Sequence, residues 1–253
     1  MAKVIAFIQA RMGSSRLPNK VLKNINGRPV IVQVVERLKK AACIDDTVLL
    51  TSTNQENDEL CLVAKEHGIK YFRGPEENVL QRFQLATELY PCEFVIRITG
   101  DTPFVDADIC ERLCTKVIDE NAQYGFLSEM FAEGVDCEVV ETKALKGLVL
   151  EALRPSELEH VTLHLYENKE QQYRVIELNN DTDDSHYRFT LDTPEDWQVI
   201  NAIADANDDT LNVTYQQIKA FLDSHPEVKA INAQIVRNEG LLISLKNEQQ
   251  DRE

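Results

Sequence analysis

The feature that most constrains this sequence is the alternation of short apolar runs with longer amphipathic segments over the first 120 residues. The apolar runs have the length of buried strands, and they are VIAFI (4–8), TVLLTS (47–52), IKYFR (69–73) and FVIRIT (94–99). The segments that follow them have helical periodicity, which predicts helices at about 29–42, 57–67, 77–90 and 106–121. Pro29 is favoured in a first helical turn, and Gly68 suits the left-handed position after a helix. This order predicts an α/β fold with a mostly parallel sheet.

The rhythm changes after Tyr124. Further strand candidates there are YGFLS, DCEVVE, RVIELN and HYRFTL, and they interleave with helical patterns at about 142–153, 156–168, 194–206 and 214–223. We expect antiparallel additions to the sheet and a small arm at about 128–180. No Ser/Gly/Pro linker divides the chain, so we expect a single domain over 1–253, with a frayed tail at about 246–253.

Charge is unevenly distributed along the chain. The net charge is −16, yet the first 40 residues hold nine lysines and arginines against one acid, Glu36. Long nucleic acids bind through many phosphate contacts, so an acidic protein is a poor candidate for binding them, whereas a compact basic region suits a small polyanion. No run approaches the roughly 18 apolar residues that span a bilayer. We therefore expect a cytoplasmic protein with neither nucleic acid nor membrane as a partner.

The basic region centres on QARMGSSRLPNK (9–20), directly after the first predicted strand. Ligands of open α/β sheets bind beyond the carboxyl ends of the strands. There Arg11, Arg16 and Lys20 can neutralise phosphate oxygens, while Gly13, Ser14 and Ser15 offer backbone and hydroxyl donors. Neither GxxxxGK[ST] nor GxGxxG follows a strand, so the loop is of neither familiar nucleotide-binding type. The competing interpretation is a solvated basic loop.

The tripeptide Asp-Thr-Pro closes two separate strand candidates, at 101–103 and 192–194. Proline in a first helical turn with threonine as its cap explains two of the three residues. Asp is common in turns, but two carboxylates at strand ends near a cationic loop also suit Mg²⁺, which binds one or two carboxylates together with phosphate oxygens. Asp101 and Asp192 are therefore candidate metal ligands. The combined features predict phosphoryl or nucleotidyl transfer.

Six segments occur in the order found in SpsF-like proteins of spore-coat and surface polysaccharide synthesis: IAFIQARMGSSRLPNKVL, YFRGPEENVLQRF, IRITGDTPFVD, EGVDCEVVETKAL, ELEHVTLHLYEN and YRFTLDTPEDW. The chain thereby resembles the cytidylyltransferases that make CMP-activated 3-deoxy-octulosonic (Kdo) and nonulosonic acids, over roughly residues 3–225. The resemblance implies a three-layer, Rossmann-like (GT-A-like) nucleotidyltransferase fold, with a small antiparallel arm that forms a homodimer. It also implies a reaction in which CTP and an acidic 2-keto sugar give a CMP-sugar and pyrophosphate, with Mg²⁺.

The same resemblance assigns roles to individual positions. Lys20, Arg11 and Asp101 would be catalytic, and Asp101 and Asp192 would hold the metal. The nucleotide would contact Gln9, Ala10, Arg11, Gly13, Ser14, Ser15, Arg16, Lys20, Arg73 and Thr99, with Gln9 and Ala10 reading the base. The sugar would contact Ser128, Asp136, Glu138 and His160.

Some positions depart from the SpsF-like pattern. The chain has VDCEVV where relatives read close to LDVEVF, and Leu158 stands before Glu159 and His160 where arginine is common. These differences predict an altered sugar pocket. One alternative is a glycosyltransferase, whose Asp-x-Asp metal motif is matched only by Asp106-Ala107-Asp108 at a predicted helix start. Another is a nucleotide-binding module without catalysis.

Overall fold

A computed structural model of the chain describes residues 2–250. Its main sheet has seven strands in the order β5-β4-β1-β6-β8-β7-β9. They are β1 (Val4–Gln9), β4 (Asp46–Ser52), β5 (Lys70–Gly74), β6 (Phe94–Thr99), β7 (Tyr124–Leu127), β8 (Glu138–Glu141) and β9 (Val175–Leu178). Each neighbouring pair is parallel except the two that include β8. A separate antiparallel hairpin joins β2 (Asn24–Ile25) to β3 (Arg28–Pro29).

Helices cover both faces of the sheet. They are α1 (Val30–Leu38), α2 (Asp58–Glu66), α3 (Val79–Leu89), α4 (Ala107–Asp119), α5 (Thr142–Gly147), α6 (Pro155–Glu159), α7 (Leu163–Glu167), α8 (Pro194–Asp205), α9 (Tyr215–Ser224), α10 (Pro226–Ala230) and α11 (Glu239–Gln250). Successive residues of β1 alternate between two buried clusters, because side chains of a strand point to opposite faces. Helices α1, α2, α4, α8 and α9 contribute to one cluster, and α3, α5 and α7 to the other. The predicted three-layer α/β architecture is confirmed.

Sheet register brings two loops together at the carboxyl ends of the central strands. Gln9, the last residue of β1, pairs with Thr99, the last residue of β6. The Gly100 amide then donates to the Gln9 carbonyl at 2.8 Å, and a Cβ on Gly100 would lie 2.7 Å from that of Ala10. Glycine at this position therefore lets the loop after β1 and the loop after β6 run side by side.

Several local predictions are wrong. HYRFTL forms no strand, and Arg188 makes only an isolated bridge to Glu133. The first Asp-Thr-Pro does not begin a helix: the Thr102 hydroxyl donates to the Thr99 carbonyl, and Asp106 caps α4. The predicted helix at 142–153 is α5 followed by a short 3-10 turn at Leu150–Ala152.

The structure also describes the later part of the chain. Within 128–180, β8 is an antiparallel addition, as predicted, and β8 and β9 both join the main sheet. Residues 246–250 of the predicted frayed tail complete α11, while 251–253 lie outside the described residues. Within residues 2–250, no helix is both long and apolar enough to cross a membrane.

Candidate active site

The basic loop after β1 is a fixed structure. Met12, Leu17 and Val21 are buried in the core, and the Met12 amide donates to the side-chain oxygen of Asn57 at 2.9 Å. Asn19 adopts a left-handed conformation, after which Lys20 begins a 3-10 turn. The buried apolar side chains hold the backbone of the loop, while its cations face the carboxyl end of the sheet. This anchoring argues against a freely solvated basic loop.

Lys20 lies between the two predicted metal ligands. Its Nζ is 2.6 Å from Asp101 Oδ2 and 2.7 Å from Asp192 Oδ1. The side chain of Lys20 is 13% exposed, and those of both aspartates are 22% exposed. The two Asp-Thr-Pro segments are also joined through their backbones, since the Leu191 amide donates to the Asp101 carbonyl at 2.9 Å. Residues about 90 and 180 positions after the loop therefore meet it at one point, as the sequence predicts.

The electrostatics of this cluster favour its charged forms. Burial opposes the charge on Lys20, but the carboxylates of Asp101 and Asp192 outweigh it and raise the pKa of the ammonium. Burial likewise opposes the charge on Asp101, yet Lys20 lowers the pKa of that carboxyl. Lys20 is thus a cation and Asp101 an anion at neutral pH.

A second, buried cation lies behind Asp192. The Arg188 guanidinium binds Asp196 with Nε and Nη2 at 2.8 and 2.9 Å, pairs with Glu133, and is 3.5 Å from Asp192 Oδ2. Asp196 also accepts the amides of Asp192 and Thr193 at 3.0 and 3.1 Å. Arg188 and Asp196 therefore fix the backbone and one oxygen of Asp192. No sequence motif indicates this role, because Arg188 lies in a segment predicted to be a strand.

The cluster has more negative than positive charge. The ion-pair network has three cations, Arg16, Lys20 and Arg188, and five carboxylates, which are Asp101, Glu133, Asp192, Asp196 and Glu239. Two excess negative charges match one divalent cation, and two carboxylates beside a basic loop are a donor set that suits Mg²⁺. Among residues 2–250, no three His, Cys, Asp or Glu side chains converge on one point.

The cluster lies in a surface cleft with a volume of about 680 Å³. Predicted residues that line it are Gln9, Ala10, Arg11, Gly13, Ser14, Ser15, Arg16, Lys20, Thr99, Asp101, Asp192 and His160. Sequence reasoning gave no role to several other lining residues, namely Glu76, Glu77, Asn78, Arg82, Pro155, Leu158 and Glu159. The position of Asn78 just before an apolar helical pattern could have indicated a helix cap. In the structure, its side-chain oxygen accepts from the Gln81 amide and caps α3.

The three cations of the loop separate into two groups. Arg16 Nη2 is 3.4 Å from Asp192 Oδ1, so Arg16 and Lys20 share that carboxylate. Arg11 points elsewhere: its Nη1 donates to Glu76 Oε1 at 2.9 Å, and its side chain is 52% exposed. Burial opposes the charge on Glu76, but the bond from Arg11 and other nearby positive and polar groups outweigh it and lower the pKa of Glu76. Arg11 therefore lies towards the β5 side of the cleft.

Gln9 and Ala10, which are predicted to contact the base, already make hydrogen bonds within the protein. The Ala10 amide donates to the Leu50 carbonyl at 3.1 Å, and the Gln9 side-chain oxygen accepts from Arg97 Nε at 3.0 Å. Arg73 does not line the cleft. It donates to the carbonyls of Ser52 and Asn54 at 3.0 and 2.9 Å and pairs with Asp58, which ties β5 to the start of α2.

Of the predicted sugar contacts, only His160 lines the cleft. Ser128 is buried, and its amide donates to the Leu178 carbonyl. The Asp136 carboxylate accepts hydrogen bonds from the Gly134 amide and from Arg237. Glu138 pairs with Arg97 and accepts from Tyr124 and Thr162. Glu138 therefore reaches the cleft only indirectly, through Arg97, which donates to Gln9 on the cleft wall. Burial lowers the pKa of His160, which is therefore a neutral imidazole at pH 7.

The first carboxylate of the Asp-x-Asp candidate, that of Asp106, already makes hydrogen bonds within the protein. Asp106 uses one oxygen to cap α4 at the Ile109 amide, at 3.1 Å, and the other to accept the Tyr215 amide, at 3.2 Å. These bonds fix the end of α4 against α9. The observation disfavours the glycosyltransferase alternative, which needs these carboxylates free at a strand end.

The fold and site together define a nucleotidyltransferase of the α/β type. A cytidylyltransferase family matches residues 5–231, and the chain belongs to that family. It is 32% identical to the spore coat polysaccharide biosynthesis protein SpsF of Bacillus subtilis, over 90% of this chain and 97% of that protein. A cytidylyltransferase structure from Leptospira borgpetersenii is 28% identical and superposes with a TM-score of 0.86, covering 94% of this chain and all of that one. A 3-deoxy-manno-octulosonate cytidylyltransferase of Brucella ovis is 33% identical over 153 residues, 58% of this chain and 57% of that one.

Proposed function

We propose that this cytidylyltransferase uses CTP to activate an acidic 3-deoxy 2-keto sugar, Kdo-like or nonulosonic, to its CMP-sugar. The observation that carries the proposal is the convergence of Lys20 with Asp101 and Asp192 at the end of β1, beside Arg16. The names of the relatives support the acceptor class, since one acts on 3-deoxy-manno-octulosonate and another serves spore-coat polysaccharide synthesis. Synthesis of a surface polysaccharide or glycan is the corresponding role.

In the proposed reaction, the anomeric hydroxyl oxygen of the sugar attacks the α-phosphorus of CTP. The bond between that phosphorus and the oxygen bridging to the β-phosphorus breaks, pyrophosphate leaves, and the hydroxyl proton passes to solvent. Arg16 and Lys20 exchange their carboxylate partners for phosphate oxygens, and Lys20 offsets the charge that develops on the phosphate. The backbone amides of Gly13 and Ser15, which line the cleft, supply further donors, whereas the Ser14 amide donates to the Met12 carbonyl at 2.8 Å.

Asp101 and Asp192 are the residues that would hold Mg²⁺. When bound, the ion would neutralise the triphosphate and lower the pKa of an attacking hydroxyl. Their carboxylates already converge on the Lys20 ammonium, so the same two side chains have the separation and charge to bind a cation. Arg188 would keep Asp192 oriented when Lys20 turns to the phosphates, because Arg188 is buried and held by Asp196 and Glu133.

The acceptor is proposed to bind against α6 and His160, on the wall of the cleft formed by Pro155, Leu158 and Glu159. Leu158 replaces the arginine common in SpsF-like chains, and so this wall has one cation fewer for the sugar carboxylate. The neutral imidazole of His160 can donate to or accept from a sugar hydroxyl.

The test is a pyrophosphate-release screen with CTP, Mg²⁺ and a panel of octulosonic and nonulosonic acids. ATP, GTP and UTP serve as nucleotide controls. We expect release with CTP and at least one acid, and a CMP-sugar detectable by mass spectrometry. Binding of an intact nucleotide-sugar without pyrophosphate release supports the glycosyltransferase alternative instead. CTP binding without turnover of any acid supports a non-catalytic module.

A further inference from the structure

Helix α11 contacts residues on two walls of the cleft, although it is outside the matched family region, which ends at residue 231. It packs on α6, and its polar side chains reach both walls of the cleft. The inference below rests on the proposed function, because it concerns how the triphosphate gains access to Arg16.

At its first residue, α11 contacts the phosphate-binding loop. The Glu239 carboxylate pairs with the Arg16 guanidinium, which lines the cleft. The second partner of Arg16 is Asp192, at 3.4 Å. Both partners are carboxylates, so a triphosphate that binds Arg16 competes directly with Glu239 for the guanidinium.

Further along, α11 contacts the acceptor wall. Ser244 Oγ is 3.0 Å from His160 Nε2 and donates to Glu159 Oε2 at 2.9 Å. One turn later, Glu248 accepts the Ser156 amide at 2.5 Å and lies 3.7 Å from Arg154. His160 and Glu159 both line the cleft, so one helix connects the phosphate loop to the acceptor wall.

The attachment of α11 is polar. Within Glu239–Gln250 no side chain is buried, and Leu242 and Ile243 are half exposed. Exposed ion pairs contribute little, and segments with few buried apolar contacts open most easily. Losing a single contact therefore shifts the position of α11 more than it would for a helix with a buried face.

We propose that α11 is a strap over the cleft which is released by the nucleotide. Glu239 holds Arg16 until the triphosphate takes its place, and Ser244 holds His160 on the acceptor wall. Glu239 is accordingly a competitor for nucleotide binding, and Ser244 is a positioning residue for His160.

The first test compares Glu239→Gln with wild type by calorimetric titration, using CTP and inorganic tripolyphosphate with Mg²⁺. Removing the competing charge is expected to lower the Kd for both ligands about two- to fivefold, as befits an exposed pair. Glu227→Gln, an exposed residue on α10 with the same change in charge, is expected to leave both Kd values unchanged. Hydrogen exchange across 239–250 is expected to quicken in wild type when either ligand binds.

The second test removes the other contact. Ser244→Ala is expected to quicken hydrogen exchange at 155–160 and, because it loosens the strap, to lower the Kd for tripolyphosphate by less than Glu239→Gln does. If wild type binds neither ligand, the proposed function itself fails. If wild type binds them, while Glu239→Gln behaves as Glu227→Gln and exchange across 239–250 is unchanged or slower, the function stands and the strap is wrong.

Discussion

Lys20 is the residue on which the electrostatics of the site depend. Its ammonium lies within 2.7 Å of both Asp101 and Asp192, and in the proposed reaction it moves to the phosphates. We expect Lys20→Ala to lower kcat about 10²- to 10³-fold, the range seen when one transition-state donor is removed. Steady-state pyrophosphate release measures it.

The matched control is Lys39→Ala, which removes the same charge from an exposed pair with Glu36. It is expected to leave kcat and KM unchanged. Full kcat/KM in Lys20→Ala, with a sugar that is turned over, would rule out the mechanism.

At the residue scale, the charged side chains of the candidate site were easier to predict from the sequence than the side chains that hold them in place. Lys20, Asp101 and Asp192 could be predicted, because a charged residue at a strand end reports its own chemistry. Arg188 and Glu239 could not, because Arg188 stands in a segment that alternates like a strand and Glu239 belongs to no motif, so neither pattern indicates an ionic partner. Arg73 shows the converse, an expected ligand that is held by local backbone carbonyls.

At the scale of elements, the start of α8 fixes Asp192. Thr193 caps the helix and Asp196 completes the capping box, as the second Asp-Thr-Pro predicted for threonine and proline. Asp196 is fully buried and accepts from Arg188, Asn232 and two backbone amides. Burial opposes its charge, but the hydrogen bonds from Arg188 prevail and lower the pKa of Asp196.

Asp196→Asn is expected to reduce the free energy of unfolding by about 3–5 kcal/mol at pH 7, because Arg188 loses its buried partner. The folded pKa lies below the unfolded value of about 3.9, so the stabilisation is complete above that pH and is lost as the pH falls through the folded pKa. The difference between wild type and variant should therefore narrow below about pH 4. Urea unfolding at pH 7, 5 and 3.5 measures it.

Asp205→Asn, at the exposed end of α8, is the control and should leave stability unchanged at each pH. A constant difference between wild type and Asp196→Asn from pH 7 to 3.5 would contradict the assigned charge state of Asp196.

Element prediction succeeded where periodicity was strong and failed where tertiary contacts decide. The strand at 94–99 and the helix at 194–205 follow apolar patterns and have their expected bounds to within a residue. HYRFTL alternates like a strand, but its backbone bonds to single loop residues, Glu133 and Asp101, and not to a neighbouring strand. Helix α11 has weak amphipathicity and no buried side chain, so its sequence carries little signal.

For the whole molecule, we expect a homodimer formed through 128–180. The family resemblance implies this arm as the interface, and Val149 and Tyr166 within it are 62% and 47% exposed and so accessible to a partner chain. Multi-angle light scattering should give about twice the chain mass of 28.8 kDa. Val149→Asp should lower the measured mass towards that of one chain, and a monomeric wild type would overturn the expectation.

In the proposed function, the basic loop and the two aspartates form a CTP site. Calorimetric titration of the wild-type protein with CTP, UTP, ATP and GTP in the presence of Mg²⁺ measures this directly. We expect a Kd for CTP at least about tenfold below that of the other three, a difference of about 1.4 kcal/mol, and CTP binding strongly weakened in Asp192→Ala. Equal affinity for all four nucleotides, or CTP binding unchanged in Asp192→Ala, would contradict it.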